Sequence, residues 1–312
     1  MNARLLFILL LFTIGALWYI IGYWRRKAGE AAFAAARLTE KSEERERYCR
    51  LAVMAGHREA CRMFCLLHPE RFDGHSPHKP FKLRGIRISF YGYYYPSRYN
   101  ALLNDEQRAF CHSIYQFKQG DIHGIEFFKT CMNALQLKKR PYHIMFMPCS
   151  NWIKYGQRFK RLDWYIGKHR QDLTSGLYDV DICDARESLH EAKGGEKRIL
   201  ERNYLITGKI KGKEIIIIDD VLTTGQSVVD YKEEIERCGG KVVAAIFYGK
   251  TLSMPSMLLV QIHVWGNHIA HIITPIRDKI AISCMLRQIH ESSSHAIRHG
   301  LYIKNRKRLF CP

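Results

Sequence analysis

The sequence lacks the cysteine spacing of a disulfide-stapled protein. Its 312 residues include ten cysteines, but these are scattered along the chain and form no CxxC pair. Small secreted domains use densely and regularly spaced cysteines, so this scatter favours reduced thiols in a cytosolic protein. The composition is that of a globular protein rather than a disordered one, and the length favours two domains over one.

Acidic residues are scarce relative to basic ones. The chain contains 30 Asp and Glu against 49 Lys and Arg, which gives a formal net charge of +19. This charge suits an anionic partner, such as a pyrophosphorylated sugar, an anionic lipid or a nucleic acid. Nucleic acid is the weakest of the three, because the one stretch that interleaves basic and aromatic residues, 81–99, contains no RNP-type motif and fits a hairpin edge or a packing surface better.

One long apolar run, residues 5–24, lies near the N-terminus. Twenty uncharged, mostly apolar residues make a helix of about 30 Å, which is long enough to span a bilayer. Arg25, Arg26 and Lys27 follow the run, against Arg4 alone before it. The asymmetry predicts a single-pass anchor with the rest of the chain on the cytoplasmic side. A cleaved signal peptide is the alternative, and the basic cluster after the run argues against cleavage.

Residues 28–138 are predicted to form a mainly helical region. Within it, 48–67 weakly resembles one unit of a Sel1-like or tetratricopeptide repeat, and 117–135 has a similar spacing of small residues. Two irregular units are too few to bury a solenoid core, so a small helical domain is the equal alternative.

The most informative stretch of the chain is 214–227, EIIIIDDVLTTGQS. Its four consecutive isoleucines predict a strand buried on both faces. An amphipathic segment that ends at a Gly-Gly pair predicts the following helix. Residues 241–249 are apolar again, so the unit is predicted to be a right-handed βαβ crossover.

The turn between that strand and that helix predicts a phosphate site beside two acids. Small residues at such a turn let backbone N–H groups converge on an anion at the helix N-terminus. Asp219 and Asp220, at the carboxyl end of the strand, would accept hydrogen bonds from vicinal hydroxyls or lie beside a divalent cation. A ligand that offers both features is a phosphorylated sugar. The turn residues are Thr223, Thr224, Gly225, Gln226 and Ser227.

This stretch resembles the signature of type I phosphoribosyltransferases: an apolar strand, two acids, two aliphatic residues, then hydroxyl-hydroxyl-Gly-x-hydroxyl. A chance Asp-Asp before a Thr-Gly turn in another α/β protein is the alternative. The resemblance implies that 223–227 hold the 5-phosphate of phosphoribosyl pyrophosphate and that Asp219 and Asp220 hold its ribose hydroxyls. It also implies Mg²⁺, bound mainly through the substrate near the two acids.

The same resemblance implies the fold and the domain order. An α/β domain, with a parallel sheet flanked by helices, is expected at 139–254. It would follow the transmembrane helix at 1–27 and the helical region at 28–138, and precede a C-terminal extension of uncertain structure at 255–312. In that extension, 258–265 is predicted to be a strand and 278–291 a helix.

Two further loops follow from the resemblance. A strand at 143–147 ends where the family has its pyrophosphate loop, and 152–167 is predicted to be a helix with Arg158, Lys160 and Arg161 on its polar side. The predicted pyrophosphate-loop residues are Pro148, Cys149 and Ser150.

The polar interval 168–198 corresponds to a flexible lid in the family, which excludes water during the reaction. Its Lys193 and Arg198 would neutralise the departing pyrophosphate, with a solvated loop as the equal alternative. Residues 198–213 resemble the corresponding stretch of ComF-type members, although the zinc-binding cysteines often found in those chains are lacking.

The predicted function is Mg²⁺-dependent transfer of a phosphoribosyl group to a nitrogen acceptor, in a chain that could form a homodimer as the family often does. Thr223 stands where the family's 6-oxopurine enzymes usually have an Asp, and a threonine is no general base near neutral pH, which argues against hypoxanthine or guanine salvage. Two alternatives stay open: a non-catalytic sensor of a phosphoribosyl ligand, and a membrane-tethered scaffold whose helical region is the working part.

Overall fold

A computed structural model of the chain describes residues 3–182, 203–207 and 210–269. The chain divides into two compact units, one formed by Met1–Phe64 with Ser256–Pro312 and the other by Cys65–Pro255. Lys193, Arg198 and the helix predicted at 278–291 lie outside the described residues.

The first unit is helical wherever it is described. It contains α1 (Ala3–Leu38), α2 (Ser42–Met54), the start of α3 (Arg58–Leu67) and α9 (257–269). The apolar half of α1 is exposed, and an 18-residue window in it has a mean hydropathy of 2.2. By length and composition this helix is able to cross a membrane, although a signal sequence would share both properties.

The structure corrects the strand predicted at 258–265, because this segment lies inside α9. Val260 and Val264, four residues apart, are its buried residues, whereas Leu259 and Ile262 are exposed. A spacing of four places the two valines on one face of a helix, while a strand would bury every second residue. The β-branched and aromatic residues of the segment favoured a strand, and that prediction is wrong.

The second unit is built on a six-stranded sheet in the order β1-β2-β8-β7-β3-β4. All neighbouring pairs are parallel except the β1–β2 hairpin. A separate antiparallel pair joins β5 to β6. The strands are β1 (Phe81–Leu83), β2 (Ile86–Tyr94), β3 (Tyr142–Phe146), β4 (Leu173–Ser175), β5 (Val180–Ile182), β6 (Tyr204–Ile206), β7 (Glu214–Leu222) and β8 (Lys241–Thr251).

Helices cover the sheet, which confirms the predicted α/β architecture of mostly parallel strands flanked by helices. They are α4 (Pro69–Asp73), α5 (Asp105–Gln119), α6 (Ile125–Leu135), α7 (Trp152–His169) and α8 (Gln226–Arg237), with a 3-10 turn at Ser97–Leu102. The strands predicted at 143–147 and at the isoleucine run 215–218, and the helices predicted after each, are present as β3, α7, β7 and α8.

The isoleucine run of β7 forms the centre of the core. All four side chains, Ile215 to Ile218, are fully buried. Ile216 and Ile218 pack in a cluster with Tyr155 and Phe159 of α7, whereas Ile215 lies on the side of α8, against Gly240. Burial of each isoleucine contributes about 1.5–3 kcal/mol, so this short strand stabilises the packing of the sheet against the helices on both of its faces.

The sheet also includes residues that the sequence analysis placed in the mainly helical region 28–138. Strand β2 pairs in parallel with β8 over Arg87 to Tyr94, and α5 and α6 pack on this part of the sheet. The local pattern at 81–99 did predict a hairpin. Its parallel partner is about 155 residues further along the chain, and no local pattern can specify a partner at that distance.

Candidate active site at the carboxyl end of the sheet

The carboxyl ends of β3 and β7 lie at the point where the strand order changes direction. β3 continues through α7 to β4 on one side, whereas β7 continues through α8 to β8 on the other. Ligands of open parallel sheets bind in the crevice outside the strands at such a switch point. The loop after β3 is joined to the end of β7 here, because the N–H of Met147 donates to the carbonyl oxygen of Ile218 at 2.9 Å.

Asp219 and Asp220 reach this edge, and two cations face them. Arg158 of α7 places Nη1 2.7 Å from Asp220 Oδ2 and 3.7 Å from Asp219 Oδ1. Lys118, near the end of α5, places Nζ 3.4 Å from Asp220 Oδ2. The side chain of Asp220 is 8% exposed and that of Asp219 is 17% exposed. Asp219 is therefore the acid that a ligand reaches more easily.

Arg158 is a correction to the sequence analysis, which placed it on the polar side of its helix. Its side chain is only 16% exposed, whereas Lys160 and Arg161 are exposed as predicted. Arg158 follows the buried Tyr155 by three positions and precedes Leu162 by four, so it lies at the border of the buried face. Its counter-charge comes from β7, sixty residues later, which the helix pattern cannot reveal.

The pairing of Arg158 with Asp220 leaves one guanidinium nitrogen without a hydrogen bond. Arg158 Nε is buried and has no hydrogen-bond partner among the described residues, whereas Asp220 Oδ2 is held by its ion pairs with Arg158 and Lys118. Buried polar atoms in folded proteins almost always have a partner, so the crevice suits a further polar group.

Burial and neighbouring charges change the pKa of Asp219. Loss of solvent raises the pKa of Asp219 above the usual range of an aspartic acid, and the negative charge of Asp220 raises it further, while Arg158 and Lys118 oppose the shift. The N–H of Asp220 also donates to Asp219 Oδ1 at 2.7 Å and favours the ionised form. The two cations thus keep a closely spaced pair of acids in one crevice.

The predicted phosphate loop lies directly after β7, at the start of α8. Thr223, Thr224, Gln226 and Ser227 are exposed, and Gly225 is the residue before the helix, with a left-handed φ of 79°. The first turn of α8 contains no acid, and its N-cap residue, Gly225, has no side chain to cap it, although Thr224 Oγ1 accepts a long hydrogen bond of 3.4 Å from the N–H of Gln226. Its backbone N–H groups and the helix dipole are therefore oriented to receive an anion.

The β1–β2 hairpin places a further cation on this loop. Its two turn residues, Arg84 and Gly85, both have left-handed φ values, 44° and 85°. Arg84 Nη1 donates to Gln226 Oε1 at 2.6 Å. Leu83 lies so close to Gly225 that a Cβ added there would be 2.3 Å from Leu83 Cδ2. The hairpin turn therefore packs directly on the phosphate loop.

The predicted pyrophosphate loop adjoins the acid pair. Pro148, Cys149 and Ser150 follow β3, and Asn203 Nδ2 donates to the carbonyl oxygens of Cys149 and Ser150 at 3.2 and 3.3 Å. Burial raises the pKa of Cys149 to about 12, so its thiol stays protonated near neutral pH. This cysteine is accordingly a packing residue and no nucleophile.

The structure thus brings the acid pair, the phosphate loop and the pyrophosphate loop to one edge of the sheet, and Lys193 and Arg198 fall outside the described residues. Three cations that the sequence analysis did not assign, Lys118, Arg158 and Arg84, belong to the same edge. Only Arg84 carried a local signal, since an Arg-Gly pair between two β-rich segments suits a two-residue hairpin turn.

Comparison with known proteins agrees with this geometry. Residues 171–251 match the family model described as "Phosphoribosyl transferase domain". An orotate phosphoribosyltransferase from Sulfolobus acidocaldarius is 42% identical over 57 residues, which cover 18% of this chain and 26% of that protein. The chain thus spans about a quarter of the length of the curated relative that it matches. The segment carrying the acid pair and the Thr-Thr-Gly loop is therefore similar to a type I phosphoribosyltransferase domain, as the sequence analysis predicted.

Proposed function

We propose that this protein is a phosphoribosyltransferase that binds phosphoribosyl pyrophosphate with Mg²⁺ and transfers the phosphoribosyl group to a nitrogen acceptor. The observation that carries the proposal is the geometry at the end of β7. At the switch point, two residues separate the acid pair from the loop 223–227, which leads into the N-terminus of α8, and all of these residues lie inside the segment that matches the family model. The spacing suits a ribose whose hydroxyls and 5-phosphate are bound together.

Each part of the donor has a matching surface. The 5-phosphate would accept hydrogen bonds from the N–H groups of 223–227, with Arg84 beside them. Asp219 and Asp220 would accept hydrogen bonds from the ribose hydroxyls. The pyrophosphate would extend toward 148–150, where Arg158 and Lys118 lie near enough to share their positive charge.

Transfer then requires the C1–O bond to break, with its electron pair leaving on the pyrophosphate. Positive charge develops on the ribose ring in an oxocarbenium-like transition state, and the nitrogen lone pair of the acceptor forms the new bond at C1 as that nitrogen loses a proton. The acid pair lies on the ribose side of the site and favours this positive charge, while the cations favour the leaving group.

The described residues fit Mg²⁺ that arrives with the donor. No cluster of three or more His, Cys, Asp or Glu in the described part of the chain would hold a metal alone. Two carboxylates that already face Arg158 and Lys118 carry little surplus charge, so oxygens of the pyrophosphate would supply most of the ligands. When bound, Mg²⁺ would supply positive charge to the leaving group.

A non-catalytic sensor is the second candidate. The observation that favours it is the burial of Asp220 between two cations, which would let the site bind a phosphoribosyl ligand without a residue committed to proton transfer. Release of pyrophosphate from phosphoribosyl pyrophosphate, measured with a panel of nucleobases and amines, separates the two functions. If phosphoribosyl pyrophosphate binds but no acceptor causes release of pyrophosphate, the result favours the sensor.

Gly225→Val tests the proposal directly. Calorimetric titration with phosphoribosyl pyrophosphate in Mg²⁺ should show binding to the unaltered protein and at least a hundredfold weaker binding to Gly225→Val. A valine cannot adopt the left-handed φ without strain of about 1–2 kcal/mol, and its Cβ would collide with Leu83, so the phosphate loop must change shape.

Gly212→Val is the matched control. Gly212 has a similar φ of 75° in the turn before β7, but a Cβ there meets no atom within 4 Å. The Gly212→Val variant should introduce similar backbone strain and leave the affinity for phosphoribosyl pyrophosphate unchanged. Equal affinity of Gly225→Val and the unaltered protein would remove the assignment of the loop.

A further inference from the structure

A cavity in the first unit lies beside the end of the apolar run of α1. Helix α2 returns antiparallel to α1, so its last turn is next to the residues that follow Trp24. Arg25 Nη2 donates to the carbonyl oxygen of Met54 at 3.0 Å. A Cβ added at Gly29 would be 3.0 Å from the Cβ of Ala55. The turn between α2 and α3 is therefore fixed at the level where the apolar surface of α1 gives way to basic residues.

The cavity has a volume of about 370 Å³, and its walls are cationic. Three glycines and an alanine leave the space open, and two arginines and a histidine supply the polar atoms. The part of the lining that the described residues provide contains no carboxylate. The lining residues are Gly22, Arg25, Arg26, Gly29, Ala55, Gly56 and His57.

His57 is held in one orientation by its neighbours. Its Nδ1 accepts a hydrogen bond from the N–H of Ala60 at 3.2 Å, and its ring stacks on Phe33 with centroids 4.3 Å apart. In the neutral ring this acceptor role places the proton on Nε2, which makes the residue a donor. The cavity therefore offers donors on a rigid frame and presents two guanidinium groups, which bind phosphate oxygens well.

We propose that this cavity binds the phosphate headgroup of an anionic phospholipid. The inference depends on the proposed membrane contact of α1 and is independent of phosphoribosyl transfer. The apolar surface of α1 ends at Trp24, directly before Arg25, so a phosphate in the cavity would leave its acyl chains beside exposed apolar side chains. Anionic lipids also concentrate basic residues at the cytoplasmic surface of a membrane.

Helix α9 favours a lipid over a soluble phosphate as the ligand. It contains no Asp, Glu, Lys or Arg, and Gln261 connects it to α2 by donating a hydrogen bond to the carbonyl oxygen of Val53 at 3.3 Å. A Cβ added at Gly56 would be 3.5 Å from Gln261 Nε2 and 3.9 Å from Arg25 Nη2, which places α9 beside the cavity. Its exposed apolar side chains are Met257, Leu258, Leu259, Ile262, Trp265 and Ile269.

Binding is measured on the purified full chain in a non-ionic detergent. Short-chain phosphatidylglycerol, short-chain phosphatidylcholine and inorganic phosphate are titrated separately, and phosphate is also added as a competitor. The unaltered chain should bind phosphatidylglycerol at least tenfold more tightly than phosphatidylcholine, and phosphate should not compete at equal concentration. Equal affinity for the two lipids, or competition by phosphate as strong as by phosphatidylglycerol, would overturn the proposal.

Two pairs of variants separate the cavity from a general effect of charge. Arg26→Gln should weaken phosphatidylglycerol binding by about fivefold, because it removes a guanidinium donor to the phosphate from the cavity lining. Lys27→Gln removes the same charge from the adjacent residue, which pairs with Glu30 outside the cavity lining, and should change affinity less than twofold. An equal loss in both variants would contradict a localised site.

Gly22→Leu fills the cavity without changing charge. A Cβ at Gly22 meets no atom within 4 Å, so the larger side chain fits and occupies the space that the headgroup needs. It should weaken phosphatidylglycerol binding at least fivefold. Gly15→Leu, in the apolar run and away from the lining, should not. Unchanged binding by Gly22→Leu would reject the cavity, and calorimetry with phosphoribosyl pyrophosphate on the same samples reports the proposed function separately.

Discussion

At the scale of single residues, the candidate site is a balance of two acids and two cations. Asp219 and Asp220 are adjacent in the chain, and Arg158 and Lys118 come from two different helices. Breaking a buried ion pair by removing one partner costs about 3–5 kcal/mol, so loss of Arg158 would leave Asp220 as a poorly compensated buried charge, whereas loss of the more exposed Lys118 would cost less. A donor that binds here has to exchange contacts with groups that already hold one another.

The raised pKa of Asp219 makes donor binding depend on pH. A protonated acid cannot favour Mg²⁺ or positive charge on the ribose, so the affinity for phosphoribosyl pyrophosphate should rise between about pH 5 and about pH 8 as Asp219 loses its proton. Binding should also release protons, which calorimetry in buffers of different ionisation enthalpy measures. Because the folded state favours the protonated form, the stability from this group falls as the pH rises from about 4, the ordinary pKa of an aspartic acid, to about 7.

Asp219→Asn provides the decisive comparison for this pH dependence. The variant should bind the donor weakly at every pH and show little proton release. Asp181→Asn, an exposed acid in β5, should keep the full dependence. If the affinity of the unaltered protein stays constant over this range while Asp219→Asn still binds the donor, Asp219 does not control binding.

The sequence predicted parts of the candidate site as short continuous segments, namely 219–227 and the loop 148–150. The acids and the Thr-Thr-Gly turn form one segment, and their order alone specifies a strand, a turn and a helix. Arg158 and Lys118 are separated from the acids by about 60 and 100 residues, and each occurs in an ordinary amphipathic helix. Their roles follow from tertiary packing, which leaves no local mark on the sequence.

At the scale of elements, the β1–β2 hairpin connects the edge of the sheet to the phosphate loop. Leu83 contacts Gly225, and Arg84 hydrogen-bonds Gln226, so the hairpin turn limits the shapes that the loop can take. A guanidinium at this position adds a donor to a helix N-terminus that already favours an anion.

Arg84→Ala should weaken binding of phosphoribosyl pyrophosphate about tenfold, because a charge-assisted hydrogen bond to phosphate contributes about 1.5–3 kcal/mol, part of which solvent offsets at an exposed position. Calorimetry at low and at high salt measures the change. Lys82→Ala is the control, since it removes an equal charge from the same hairpin at an exposed position with no contact to Gln226. Equal weakening in the two variants would indicate a general electrostatic effect.

The elements that the sequence predicted best are those with a clear local pattern. The strands β7 and β3 are short apolar runs, and α8 has the apolar spacing of an amphipathic helix. The segment 258–265 misled because β-branched and aromatic residues are compatible with either structure, and its burial pattern depends on α2, to which Gln261 is bonded. The sheet membership of β2 likewise depends on a partner far along the chain.

At the scale of the whole molecule, apolar and charged residues are unevenly distributed along the chain. The whole chain has a formal net charge of +19, the apolar half of α1 contributes almost none of it, and the basic cluster begins directly after the apolar run. The sheet that carries the candidate site belongs to the unit formed by Cys65–Pro255. The proposed membrane attachment and the proposed donor binding therefore depend on different units, and different experiments test them.

The orientation of α1 is the last expectation to test. If residues 5–24 span the bilayer with Arg25, Arg26 and Lys27 on the cytoplasmic side, the full chain should resist extraction from membranes by alkaline carbonate. A tag fused after residue 312 should be digested by protease only in opened cells or inside-out vesicles.

The basic cluster can be moved to the other end of the apolar run by Arg25→Gln, Arg26→Gln and Lys27→Gln together with three lysines placed before Leu5. This change should invert the protease pattern in part of the population. Release by carbonate, or a shorter mature chain that begins after the run, would instead identify a cleaved signal peptide.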